Sequence, residues 1–396
     1  MEHIEMVRPN DLVRWGFYLS VFAIPFSHIY LPGTAERVGV MRLTQMVIGC
    51  AVLSQPRVCL RLVPTALFWF LAYCALRVVC GLWFTPEMST TWWPNSREFL
   101  EFVVWLWVMF NVLQFPEARR GGLWALGLGG ALCALFHLLG IGVSELANDP
   151  TGRSSVFGLN PNGLGATYAT AAIALFGLSS VRPATLAQRI LPFPLIALLG
   201  IAMAKTGSRT SFLIFAMGVF VLLFFGKSSV SKIQRLVSVL AMGAVLTIIM
   251  WKIPTVVERF AQLDPQNIGR ENPRARMAPV LWEMFLRNPV LGSGPDGYEF
   301  ELTRRAMPYL IREQQLIVSH NLALLLLVET GILGLLLFAF GLGAGLAAAW
   351  RARLASCGAL PLALLLPLAI GGATLCNPSH LLVFWVAMAY ALAGAG

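Results

Sequence analysis

The sequence predicts an all-α, polytopic membrane fold of about twelve transmembrane helices, with one long helical loop between the ninth and tenth on the extracytoplasmic side. Three observations carry this expectation. The 396-residue chain is 57% hydrophobic and only 12% charged, more apolar surface than a soluble chain of that length can hide. Apolar runs of about 20 residues, the length that crosses a bilayer, recur from end to end. The basic residues collect in alternate connectors, so the net charge of +10 speaks for membrane topology rather than for a nucleic-acid partner.

In order, the spans are expected near 14–31, 38–55, 62–84, 98–115, 121–143, 162–181, 189–205, 209–226, 236–252, 331–350, 359–376 and 380–395. Connectors after every second span carry eleven basic residues (Arg57, Arg61, Arg119, Arg120, Arg182, Arg189, Lys227, Lys232, Arg235, Arg351 and Arg353) against one acid, Glu117. The positive-inside rule makes these connectors cytoplasmic and places both termini with them, as Arg8 and Arg14 agree. The first apolar stretch is long and lacks an Ala-x-Ala exit, so it is expected to remain as an anchor. The seven cysteines show no metal-ligand spacing, and none lies in the long polar loop, which argues against a disulfide framework. The whole chain, 1–396, reads as a single integral membrane domain.

Residues 253–318 form the exceptional connector, 66 residues with eight arginines, eight acids and no lysine. A loop so long escapes the positive-inside rule, and its expected place is outside the membrane, completing a site there. Arg42, Arg77, Glu98, Glu101, Lys205 and Arg209 map to the outer ends of their spans. His28, His137 and His380 map to outer halves. Each alone reads as a snorkelling or end-pairing residue; the set predicts an outward-facing polar cavity, because ions inside spans are costly.

Four segments carry chemistry. Arg153-Ser-Ser-Val-Phe-Gly-Leu-Asn160-Pro161-Asn162-Gly precedes span six, and its Asn-Pro-Asn-Gly is a turn suited to capping the next helix. Lys205-Thr-Gly-Ser208-Arg209-Thr forms the tight turn between spans seven and eight. There Ser208 is expected to cap a helix whose N-terminus and Arg209 face one point, an arrangement suited to an anion. The third runs Asn272-Pro-Arg274-Ala-Arg276 through Pro279 and Trp282 to Asn288-Pro-Val-Leu-Gly292-Ser-Gly294. A short amphipathic helix is expected from about 276–279, with Trp282, Phe285 and Leu286 against the membrane domain. Arg274 and Arg276, two residues apart, point in different directions, so at most one of them is expected in a shared site. The fourth is Ser319-His320-Asn321, followed by Glu329-Thr-Gly331-Ile-Leu-Gly334, where the loop returns to span ten. His320 stands at the lip of the polar face beside Asn321, a candidate for proton transfer.

In this order the segments resemble the bacterial O-antigen ligase and O-antigen polymerase superfamily. That family shows Phe-x-x-Asn-Pro-Asn, a Ser-Arg pair at an outer turn, and a loop with Arg…Trp…Asn-Pro-x-x-Gly-x-Gly. His-Asn…Glu-x-Gly-Ile-x-Gly then precedes a late span. The matching stretch covers 153–334; the remaining spans agree only in hydropathy. The resemblance implies an inner-membrane glycosyltransferase with its active site on the periplasmic face. It would move a glycan from an undecaprenyl-pyrophosphate donor to an acceptor hydroxyl, on lipid A-core for a ligase or on a growing chain for a polymerase. Counting back from Asn-Pro-x-x-Gly favours Arg274 as the family arginine. Arg209 and Arg274 are then expected on the pyrophosphate, since arginine forks hold phosphate oxygens bidentately, and His320 as general base. Arg276, Asn162, Asn321, Ser208 and Arg153 complete the expected substrate contacts, although both asparagines also suit helix caps. No cofactor is expected, and no Asp-x-Asp occurs that would hold Mg²⁺. Direct displacement would invert the anomeric carbon. The rival reading is a twelve-span transporter. Its major-facilitator form keeps the long loop central and inside, whereas here the loop follows span nine.

Overall fold

The computed structural model describes residues 8–30, 39–145, 153–180, 188, 190–225, 273–298, 301, 311–312, 315–316, 321–355, 358–372 and 381–394. Besides a one-turn helix at Pro56–Cys59, twelve longer helices organise them: α1 (Asp11–Phe22), α2 (Val40–Ser54), α3 (Thr65–Phe84), α4 (Ser89–Val112), α5 (Pro116–Leu139), α6 (Pro161–Ser180), α7 (Pro192–Lys205), α8 (Arg209–Phe225), α9 (Pro273–Arg287), α10 (Leu322–Ala352), α11 (Leu360–Gly371) and α12 (Leu382–Ala393). A small hairpin, β1 (Val143–Glu145) with β2 (Ser154–Val156), joins α5 to α6. Helices fall on every expected span except 236–252, which lies outside the described residues, as does most of the polar loop. By length and composition α3, α5 and α10 are able to cross a membrane, while α2, α7, α8, α11 and α12 are shorter apolar helices.

Side-chain chemistry explains the packing. A bilayer supplies no hydrophobic drive between helices, so close approach and ring packing hold them together. Phe70 and Tyr73 of α3, Phe99 of α4, Phe338 of α10 and Trp385 of α12 form an interlocked cluster. Its edge-to-face pairs include Phe70–Trp385 at 5.2 Å and Tyr73–Phe99 at 5.1 Å between ring centroids.

Helix α10 has 31 residues, about 46 Å of helix, longer than the ~30 Å hydrocarbon layer. It is broken at Gly331, whose φ of 66° and ψ of −166° are not helical. The segment beyond the break, 332–352, spans roughly 32 Å and matches that layer.

Two expectations for the loop helix change. Helix α9 begins at Pro273, not near 276–279, because proline at the first helical position gives up an N–H that would be unpaired anyway. Arg274 and Arg276 therefore belong to its first turn. The docked face is also different. Met277, Val280, Leu281 and Met284 are buried against Tyr298 and α10's Leu325 and Val328, with Phe285 at the edge. Trp282 and Leu286 are exposed. Both sets recur at helical spacing, so α9 has two apolar arcs, and periodicity alone does not say which one packs.

Candidate functional site

The first two motifs meet at one point. Arg153, just before β2, is buried; its Nε donates to the Thr206 carbonyl at 3.0 Å and its Nη2 to Asn162 Oδ1 at 2.8 Å. One guanidinium thus ties the hairpin both to the first turn of α6 and to the turn between α7 and α8. Asn160 Oδ1 accepts the Asn162 backbone N–H at 2.9 Å, so the Asn-Pro-Asn turn caps α6 as its composition suggests. The two helices come close because Gly165 has no side chain: a Cβ there would lie 2.1 Å from Ser211 Oγ. On the other flank His137 is fully buried, with Nε2 2.8 Å from Ser154 Oγ.

The α7–α8 turn closes on itself. Thr206 Oγ1 donates to the Met203 carbonyl at 2.7 Å and accepts the Ser208 N–H at 3.3 Å. Ser208 does not cap α8 with its side chain as expected. Its Oγ is buried and, among the described residues, has no hydrogen-bond partner; Ser211 Oγ and His137 Nδ1 share that condition. The Ser211 N–H goes to the Ser208 backbone carbonyl at 3.2 Å instead. Arg209 opens α8 and is half-buried, while Lys205 is exposed.

Motifs three and four form a second unit. At Gly331 the broken helix α10 leaves carbonyls without partners above and N–H groups without partners below. The Pro289–Gly294 stretch fills the gap. Ser293 N–H donates to Val328 O at 2.7 Å and Gly294 N–H to Glu329 O at 3.1 Å. Ile332 and Leu333 N–H donate to Pro289 O and Val290 O at 2.9 and 3.3 Å. The approach is so close that a Cβ on Gly292 would lie 2.6 Å from backbone atoms of Glu329 and Thr330. Asn-Pro-x-x-Gly-x-Gly and Glu-x-Gly-Ile-x-Gly are thus two halves of one backbone lock.

A buried ionic cluster, which the sequence reading did not assemble, sits against this lock. Arg77 of α3 pairs with Glu329 of α10 and lies 3.7 Å from Asp296 of the loop; all three are buried. Arg77 Nε donates to Ser96 Oγ at 3.2 Å, and Asn95 Nδ2 donates to Asp296 Oδ2 at 3.2 Å. Glu329 Oε1 accepts the Asp296 backbone N–H at 3.2 Å. A signal existed: Arg77 and Glu329 are lone ions in apolar helices, and such ions normally find each other. Asp296, within Gly-Pro-Asp-Gly, lies in a polar loop and carries no such signal.

The remaining candidates divide. His320 lies outside the described residues, as does His380. Of Arg274 and Arg276 the helical backbone of α9 is described. Asn321 is the cap of α10, its Oδ1 accepting the Leu324 N–H at 3.1 Å. The expected convergence of charges is only partial. Arg77 and His137 turn inward, but Arg42, His28, Glu98 and Glu101 are exposed, and Glu101 pairs with Arg97 at 3.1 Å on the outer surface of α4.

Residues 194–339 match the family model described as O-Antigen ligase. That stretch runs from α7 through the Ser208-Arg209 turn and α9 to the Gly331 break, so both halves of the lock lie inside it. No curated protein matches the chain. The family is one of membrane enzymes of the glycosyltransferase type, ligases or polymerases, that act on lipid-linked glycans and their acceptors. The match covers 194–339 of the 396 residues and, with the ordered motifs, supports the O-antigen ligase superfamily.

Proposed function

We propose that this chain transfers a glycan from an undecaprenyl-pyrophosphate donor to a hydroxyl of a lipid A-core acceptor, at the periplasmic face of a twelve-span inner-membrane domain with both termini in the cytoplasm. The observation that carries the reading is the union of the Asn-Pro-Asn turn and the Ser208-Arg209 turn through Arg153. It puts Arg209 and the start of α8 beside Ser208 Oγ, which is buried and without a hydrogen-bond partner among the described residues. A helix N-terminus and an arginine together suit the phosphates of such a donor.

In this mechanism the acceptor oxygen attacks the anomeric carbon from the face opposite the pyrophosphate. The new C–O bond forms as the bond to the phosphate oxygen breaks, and the configuration inverts. His320 takes the hydroxyl proton. Undecaprenyl pyrophosphate leaves with the bonding electrons, its charge held by Arg209 and by Arg274 from the first turn of α9. Arg276, Ser208, Asn162 and Asn321 border the substrates, and Arg153 fixes the turns that carry them. The arginines supply the charge neutralisation that a divalent cation would otherwise provide.

General-base assistance is typically worth about 10²–10⁴-fold. His320→Ala is expected to slow transfer by that order while donor binding survives, and EDTA is expected to leave the wild-type rate unchanged. Near-full activity of the alanine variant would remove His320 from the mechanism. Loss of transfer in EDTA, restored by Mg²⁺ or Mn²⁺, would replace the arginine-only account.

A further inference from the structure

We propose that Arg77, Asp296 and Glu329 are positioning residues for transfer: they seat the 288–298 loop in the break of α10 and thereby fix the first turn of α9, with Arg274 and Arg276, against the helix bundle. The consequence for catalysis rests on the function proposed above; the seating itself does not.

The case begins with cost. Three ionised groups are buried where an apolar trio of similar volume would pack without a desolvation penalty, so stability alone is a poor reason for them. What the ions add is geometry. Every guanidinium nitrogen of Arg77 is used, Nε on Ser96, Nη1 on Glu329 and Nη2 nearest Asp296. That one planar fork reads α4, α10 and the loop together. Each acid also answers to a second element. Glu329 accepts the loop's Asp296 N–H, and Asp296 accepts from Asn95 of α4. Thr85, at the end of α3, donates its hydroxyl to Pro295 O at 3.2 Å.

The backbone lock holds 289–294, and the ionic cluster holds 295–296. Helix α9 ends at Arg287, next to this doubly held segment, and its buried face rests on α10 above the break. The placement of the α9 arginines therefore depends on how the loop is seated. Errors of about 1 Å in such placement cost on the order of 10²-fold in rate.

The protein carries its own reporter. Cys80, one turn beyond Arg77 on α3, is buried, with its Sγ 3.4 Å from the Leu291 carbonyl. An unseated loop uncovers it.

The test uses the full chain in detergent, with every cysteine but Cys80 replaced, and a water-soluble maleimide as probe. Arg77→Lys keeps the charge and loses the fork; Glu329→Gln keeps the shape and loses the charge. Both are expected to remain folded and monodisperse with a lowered Tm, to label Cys80 at least about tenfold faster, and to transfer about 10²-fold more slowly. An Arg77→Met/Glu329→Met variant, with both charges removed and the stems kept, serves if either single variant fails to fold, and the same result is expected of it. His320→Ala should label at the parental rate. Labelling of Cys80 no faster than the parent in folded variants would overturn the seating, and fast labelling with undiminished transfer would overturn the positioning role. Full transfer by His320→Ala would instead count against the proposed chemistry, so the two failures are told apart.

Discussion

Gly331→Ala is expected to prevent accumulation of folded protein. The dihedrals at 331 belong to a region that is essentially reserved for glycine and costs other residues about 1–3 kcal/mol. The added Cβ would also lie 2.2 Å from Val290 O. That oxygen cannot retreat without giving up the Leu333 N–H, and the neighbouring Pro289 O holds Ile332. Moving it would leave both N–H groups without these partners. Gly343→Ala in the same helix is the control, since nothing lies within 4 Å of a Cβ there, and alanine is the better helix former. Yield and Tm in detergent check both. Normal values for Gly331→Ala would mean that the break in α10 is dispensable.

Arg209→Lys is expected to lose transfer about 10²-fold with unchanged expression and Tm. Lysine keeps the charge at the start of α8 but not the planar pair of donors that matches two phosphate oxygens. A loss of that size corresponds to roughly 2.7 kcal/mol of transition-state stabilisation. Initial rates at saturating acceptor measure it. Activity within about twofold of wild type would make Arg209 a residue of the helix end and nothing more.

How far the sequence could be read follows from which forces are local. Helix positions were legible because apolar run length is set by one stretch of chain at a time, so α3, α5 and α10 lie where hydropathy puts them. The capping role of the Asn-Pro-Asn turn was legible for the same reason. The break at Gly331 was not, because Glu329-Thr330-Gly331 reads only as the entry to an apolar span, and the break exists only through a partner some forty residues away. The same is true of Asp296, whose companions come from α3, α4 and α10. Ser208 does not cap with its side chain because the Ser211 N–H already goes to the Ser208 carbonyl at 3.2 Å. The docked face of α9 was not legible because the Met-Val-Leu-Met arc that packs and the Trp282-Leu286 arc both recur at helical spacing. Arg77 with Glu329 was within reach, since two lone opposite ions in apolar helices call for each other.

The most direct test of the account is a defined transfer reaction. The purified chain in proteoliposomes would be supplied with an undecaprenyl-pyrophosphate-linked glycan and lipid A-core, and the acceptor-linked glycan and released undecaprenyl pyrophosphate would be measured together. The account predicts one pyrophosphate lipid released for each glycan joined to the acceptor, with the anomeric configuration inverted and the rate unchanged in EDTA. Donor that crosses the bilayer with its glycan still attached, and no release of the lipid, would contradict it.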